Sequence, residues 1–134
     1  MRGRRTLARM LDANLNRAGE GLRVAEDLLR FGGAPPHLSA DCRKLRHAFV
    51  RAGAGLLPAA ELLAARRTAT DPGRRRTGSV ARSCTADALR ANFRRAEESA
   101  RVLEEGARLL GRPRSAATFM RLRYALYGLE ARAA

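Results

Sequence analysis

Tryptophan is missing from this 134-residue chain, lysine occurs once, at Lys44, and aromatic residues make up only 4% of it. So few flat side chains argue against the stacking platforms that single-stranded nucleic acids need. Cysteine is scarce too: Cys42 and Cys84 have no CxxC spacing, which excludes a disulfide framework and a zinc ribbon. Both are expected to be reduced, small core residues. His37 and His47 are too few and too scattered for a metal centre, and His47 reads as an ordinary helix residue. No GxxxxGK[ST] loop, GxGxxG turn or HExxH helix occurs, and no nucleophile stands in a pattern with histidine. No stretch approaches the roughly 18 apolar residues of a membrane span, and the basic start MRGRRTLARM lacks the apolar run of a signal peptide. A soluble, cytoplasmic protein with no membrane contact is expected.

Positive charge is abundant. Lysine and arginine number 27 against 13 acidic residues, a net +14, and nearly all of it is arginine. Arginine-rich codon usage accounts for part of the surplus on exposed faces. The rest points to anionic partners, phosphate esters or nucleic acid.

The chain repeats itself. LDANLNRAGEGLRVAEDLLR at 11–30 returns as LRANFRRAEESARVLEEGAR at 89–108, with ten of twenty positions identical at an offset of 78. KLRHAF at 44–49 returns as RLRYAL at 121–126, at an offset of 77. A whole helical hairpin is therefore duplicated, over 6–53 and 85–131, with a connector over 54–84. One all-α domain spanning 1–134 is expected, two hairpins forming a bundle.

At about 100° per residue, Leu11, Leu15, Ala18, Leu22, Ala25 and Leu29 make one stripe, repeated by Leu89, Phe93, Ala96, Ala100, Leu103 and Ala107. A second apolar row, Met10, Gly21, Val24, Leu28 and Phe31, widens the expected buried arc. Asn14 and Arg17 fall inside it, as do Asn92 and Arg95 of the second copy. An inward arginine must find an anion or suffer desolvation. Pairing of Arg17 with Glu20, and of Arg95 with Glu98, is the bland way to satisfy them.

The first helix is expected from Thr6 to Phe31, stopped by Gly32 and Gly33. Gly19 and Gly21 inside it mark a bend or a close backbone approach. The second helix is expected from Ser39 to Ala52, with Arg46 on its inner face, and its counterpart from Ser115 to Ala131, with Arg123 in the same place. Pro58 opens a short helix through PAAELLAARR. Residues 68–85 then form a long basic loop with turn signals at Asp71, Pro72 and Gly73, a linker or a lid. Arg66, Arg67, Arg74, Arg75 and Arg76 flank it.

These residues suggest a cleft in which arginine forks bind phosphate and an asparagine orients the ligand. The candidates are Arg17, Arg95 and Asp71 as catalytic groups, and Asn14, Asn92, Arg46, Arg123, Arg66, Glu20 and Glu98 as phosphate or substrate ligands. Asp71 and Glu98 are the carboxylates expected nearest a metal. Phosphoryl transfer needs little beyond such positioning and charge neutralisation, usually with magnesium. A basic helical nucleic-acid binder is the rival, but its arginines would be striped rather than spread around the helices.

The segments LDANLNRAGEGLRVAEDLLRF, KLRH, ELLAARRTATDPG, LRANFRRAEESARVLEE and RLRYALYGLE, in this order, resemble the small all-helical hydroxymethylpyrimidine-phosphate kinases of thiamine biosynthesis. That resemblance implies transfer of a phosphate from ATP, with Mg2+, onto 4-amino-5-hydroxymethyl-2-methylpyrimidine phosphate. It also implies a stand-alone form of a domain elsewhere fused in front of thiamine-phosphate synthase, with a functional link to that enzyme. A non-catalytic partner that binds the pyrimidine phosphate for the synthase is a further alternative. The sequence departs from the pattern at Arg67, where an acidic residue commonly stands. A homodimer, if one forms, would use the exposed part of the second row around Val24 and Val102.

Overall fold

The computed structural model describes residues 2–76 and 81–134, and every regular element among them is helical. The elements are α1 (Arg2–Phe31), α2 (Pro36–Ala54), α3 (Ala59–Ala65), single 3-10 turns at Thr68–Thr70 and Pro72–Arg75, α4 (Thr85–Leu109) and α5 (Pro113–Ala133). The part of the expected basic loop that spans 77–80 lies outside the described residues.

Both hairpins turn by the same device. Gly33 and Gly111 adopt left-handed φ values of 80° and 72°, which a side chain would resist. The amides beyond them fold back onto the ends of their helices, Ala34 to Leu29 O at 3.1 Å and Arg112 to Ala107 O at 2.9 Å. Pro36 and Pro113 then open the returning helices, where a proline lacks only an amide that needs no partner. These prolines correct the expected starts at Ser39 and Ser115. The Ser39 hydroxyl caps nothing and donates to Pro36 O within the first turn. The helix expected from Thr6 begins earlier, at Arg2.

α1 packs on α4, α4 on α5, α1 on α2 and α2 on α5, and α3 lies against α1. The stripes meet in the middle, where Leu11, Leu22, Phe93 and Leu103 are fully buried beside Phe49, Phe119, Leu126 and Leu129. Phe49 and Phe119 join the returning helices, their ring centroids 6.2 Å apart. α1 runs unbroken through both of its inner glycines. A Cβ at Gly21 would lie 2.8 Å from Asn92 O, so this glycine lets α4 approach. Gly19 faces open space.

Two expectations fail on burial. In the second apolar row Gly21 is buried and Met10 and Leu28 are half-buried, but Val24 and Phe31 are exposed, so the outer side of that row is a wet shoulder of α1. The buried arc extends the other way, towards Asp12 and Glu26. Cys84 is exposed at the start of α4, while Cys42 is a core residue as expected. Burial, then Glu26 and Asp41, push the Cys42 thiol up to about 12, which leaves it unreactive. No single helix among the described residues is long and apolar enough to cross a membrane.

Candidate functional site

Each hairpin holds one buried ion pair at matching positions. Arg46 of α2 donates to Glu26 Oε1 of α1 at 3.0 Å, and Arg123 of α5 donates to Glu104 Oε1 of α4 at 3.1 Å. Glu104 is also braced along its own helix by Arg101 at 2.8 Å and Arg108 at 2.7 Å. Burial pushes the Glu104 carboxyl up, but Arg123, Arg108 and Arg101 together outweigh it and hold it below the usual carboxylate range. Arg46 and Arg123 therefore reach inward as expected, and their partners are carboxylates of the chain. This corrects their reading as free phosphate forks.

Beside the first pair lies a cleft of about 400 Å³ between α1, α2 and α3. Leu15, Phe49, Leu57 and Leu62 give it apolar walls, Gly19 leaves it open, and Arg46 reaches its edge. A second hollow of about 300 Å³ adjoins it, lined by Arg9, Glu20, Arg67, Thr68 and Asp71. Asp12, Asn16 and Arg66 line both, so the two form one groove, apolar at one end and charged at the other.

Asp12 and Arg66 stand at the junction. The guanidinium grips the carboxylate with both prongs, Nε to Oδ2 and Nη2 to Oδ1, each at 2.7 Å. That hydrogen bonding, reinforced by the opposite charge, raises the pKa of Arg66 further. Arg66 can take this place because the chain leaves α3 extended there, at φ −67° and ψ 123°. The following turn is tied to α1 by Arg9, which donates to Arg67 O at 2.8 Å and to Thr70 Oγ1 at 3.3 Å. Asp71 fixes the next turn by accepting from Gly73 N at 2.8 Å.

Of the residues singled out from sequence, the groove gathers Arg66, Asp71, Glu20 and Arg67, with Arg46 at its apolar end. Arg17 and Arg95 do not join them. Both are exposed, and neither pairs with Glu20 or Glu98 among the described residues. Arg17 lies beyond the edge of the buried arc, on the shoulder of Val24, and Arg95 is exposed on α4 with its Cβ near Gly21. Asn14 is buried, but its amide donates to Met10 O at 2.9 Å, and that of Asn92 to Ala88 O at 2.8 Å. These amides satisfy their own helices, a structural use. Glu98 lines a different cleft from Asp71, so the two cannot share a metal. Among the described residues no group of three His, Cys, Asp or Glu can hold a metal ion by itself. Arg74, Arg75 and Arg76 are exposed and line no part of the groove.

Sequence reasoning missed Asp12, Asn16 and Arg9. Asp12 had one visible signal, its replacement by Arg90 at the same place in the repeat. The buried partners Glu26 and Glu104 were visible as an identical pair within it.

Residues 9–132 match the model of the ThiD2 family. The chain is 45% identical over 130 residues to a protein of Gloeobacter violaceus named thiamine-phosphate synthase, covering 93% of this chain and 36% of that one. It is 44% identical over 126 residues to the thiamine-phosphate synthase of Thermosynechococcus vestitus, covering 92% and 34%, and 41% identical over 124 residues to that of Nostoc punctiforme, covering 91% and 34%. The chain thus spans about a third of the length of these relatives. No solved structure matches it.

Proposed function

The chain belongs to the ThiD2 family, and on that premise we propose that it phosphorylates 4-amino-5-hydroxymethyl-2-methylpyrimidine phosphate to the diphosphate, with ATP as donor. The observation that carries this reading is the two-ended groove. Its apolar end suits a methylated pyrimidine ring, and its charged end, with Arg9, Arg66 and Arg67, suits phosphates. Asp12 acts as a positioning residue: it engages Nε and Nη2 of Arg66 and fixes the plane of the guanidinium, whose remaining Nη1 edge is the one that would meet an anion.

The acceptor is a phosphate oxygen, already a nucleophile near neutral pH. It attacks the γ-phosphorus of ATP, the bond from that phosphorus to the β,γ-bridging oxygen breaks, and ADP leaves with the electron pair. No strong general base is required, in keeping with a groove that contains no histidine. The arginines hold the two anions together and neutralise the charge spread over the moving group.

Magnesium is normally held by one or two carboxylates, with phosphates and water filling its other positions. Glu20 and Asp71 would hold it, since Asp12 is taken up by Arg66 and no other carboxylate among the described residues lines the charged end. Bound there, the metal supplies charge neutralisation at the phosphate oxygens.

The test is a coupled ADP-release assay with magnesium and ATP, comparing the pyrimidine phosphate with its unphosphorylated alcohol. Turnover of the phosphate and not the alcohol is expected; turnover of neither sinks the kinase reading. A second reading draws on the share of the relatives that the chain spans: a non-catalytic module that binds the pyrimidine phosphate for a thiamine-phosphate synthase. Calorimetric binding of the pyrimidine phosphate without ADP release would select it.

A further inference from the structure

The first hairpin's groove has a clamped arginine at each end. Asp12 and Glu26 stand about four turns apart on α1 and so face the same side. Each takes the Nε and Nη2 of its arginine: Asp12 those of Arg66, and Glu26 those of Arg46, at 3.3 Å and 3.0 Å. On α2, Arg46 shares a face with Phe49, Val50 and Gly53, and all four line the apolar cleft. The Nη1 of Arg46 meets no acceptor among the described residues.

In the second hairpin the corresponding arginine has both Nη groups engaged. Arg123 gives Nη2 to Glu104 at 3.1 Å and Nη1 to the Tyr127 hydroxyl at 3.4 Å, and its guanidinium lies 5.1 Å from the Tyr124 ring centre. His47 and Val50 stand at the places of those tyrosines, and neither offers Arg46 a hydroxyl. Glu97 takes the place of Gly19 and lies buried against Glu130; burial, then the charge and hydrogen bond of Glu130, push its carboxyl up to about 7. The differences between the halves thus free one guanidinium edge, and they free it among apolar walls.

We infer that Arg46 is the specificity-determining residue of the apolar end: its Nη1 donates to a ring nitrogen of the bound heterocycle, so the cleft selects a nitrogen ring over a hydrocarbon ring of the same shape. The Arg46 side chain is only 21% exposed, so a ligand in the cleft covers its free edge and must supply an acceptor or leave a charged donor dry. The charge of Arg46 is already balanced by Glu26, whose carboxylate would repel a second anion; a neutral acceptor meets no such penalty. A ring nitrogen accepts in the plane of its ring, and the guanidinium held by Glu26 presents its N–H in a fixed direction. A ring without that nitrogen fits the walls but leaves the donor unpaired. The inference rests on the groove as the site of the pyrimidine phosphate, and it concerns binding, whether or not a phosphate is then transferred.

Calorimetry on the whole chain with (2-methylpyrimidin-5-yl)methyl phosphate and 4-methylbenzyl phosphate, which differ only in the ring nitrogens, tests it. The pyrimidine is expected to bind at least about tenfold more tightly. Arg46→Met should bring the two affinities together by weakening the pyrimidine alone, a change that loss of a purely structural ion pair would not produce. The double variant Glu26→Met with Arg46→Met serves if the single one does not fold, since it leaves no carboxylate stranded. Equal binding of the two phosphates by the wild type, or a preference kept by a folded variant, overturns the inference and leaves the groove standing. Binding of neither phosphate overturns both.

Discussion

The two hairpins share a frame and differ in what they leave open. Glu26–Arg46 and Glu104–Arg123 cross-link corresponding helices, and Gly33 and Gly111 turn them alike. Yet Gly19 lines an open, apolar cleft, while Glu97 at the equivalent position carries a buried carboxyl into the other. Asp12 anchors Arg66 in the first half; Arg90 in its place pairs, among the described residues, with Asp87 one turn away. Only the first half has α3 and its turns as a third wall. Duplication preserved the pairs that hold helix to helix and released the cleft-lining positions to diverge. The helix-pairing residues are thus identical between the copies, whereas Asp12 and Gly19 are replaced by Arg90 and Glu97; Glu20 and Glu98, identical and lining a cleft in each half, are the exception.

Making the first cleft like the second should have the largest effect. Gly19→Glu has room for its Cβ and should fold with normal helix content by circular dichroism. It fills the groove with a charged side chain, so turnover of the pyrimidine phosphate is expected to fall by about 100-fold or more. Asp12→Ala is milder, since Arg66 remains but loses its fixed plane: a rise in KM of about tenfold, read from initial rates, is expected.

The shared frame can be tested by removing its anchors. Glu104→Ala leaves Arg123 nearly buried beside an empty place and should cost about 3 kcal/mol in urea unfolding. Glu26→Ala should cost less, because Glu26 holds one arginine where Glu104 holds three. Equal losses would mean that the extra arginines add nothing.

The smallest expected effect is a pH dependence confined to the second half. The Glu97 carboxyl is raised from the usual 4.5 to about 7 in the fold. Folding therefore favours its protonated form, and that contribution is complete below pH 4.5 and lost as the pH rises through 7. Glu97→Gln should flatten this segment of the stability curve in denaturant titrations at successive pH values. An unchanged slope would show that Glu97 titrates normally.

Much of the fold was legible because periodicity and punctuation agree: a 3.6-residue stripe twice over, glycine at each turn and proline after it. The all-α class and the pairing of the hairpins follow from that. The arginines were harder to place. Arg17 lies next to a row of apolar residues, but that row is the exposed shoulder, and a wheel cannot say on which side of a stripe the neighbouring helices will sit. α2 and α4 cover the arc from Gly21 round to Asp12, so Asp12 and Glu26 go in and Arg17 stays out. Arg66 was singled out as part of a basic stretch, but its partner is 54 residues away in the sequence, and no local pattern announces such a contact.

If the first hairpin's groove, and not the repeated exposed arginines, carries the proposed reaction, Arg66 is needed and Arg95 is not. ADP release with 4-amino-5-hydroxymethyl-2-methylpyrimidine phosphate, measured side by side on Arg66→Ala and Arg95→Ala, separates the two. Activity lost by about 100-fold in Arg66→Ala and kept in Arg95→Ala is the predicted result; activity kept in Arg66→Ala and lost in Arg95→Ala would contradict it.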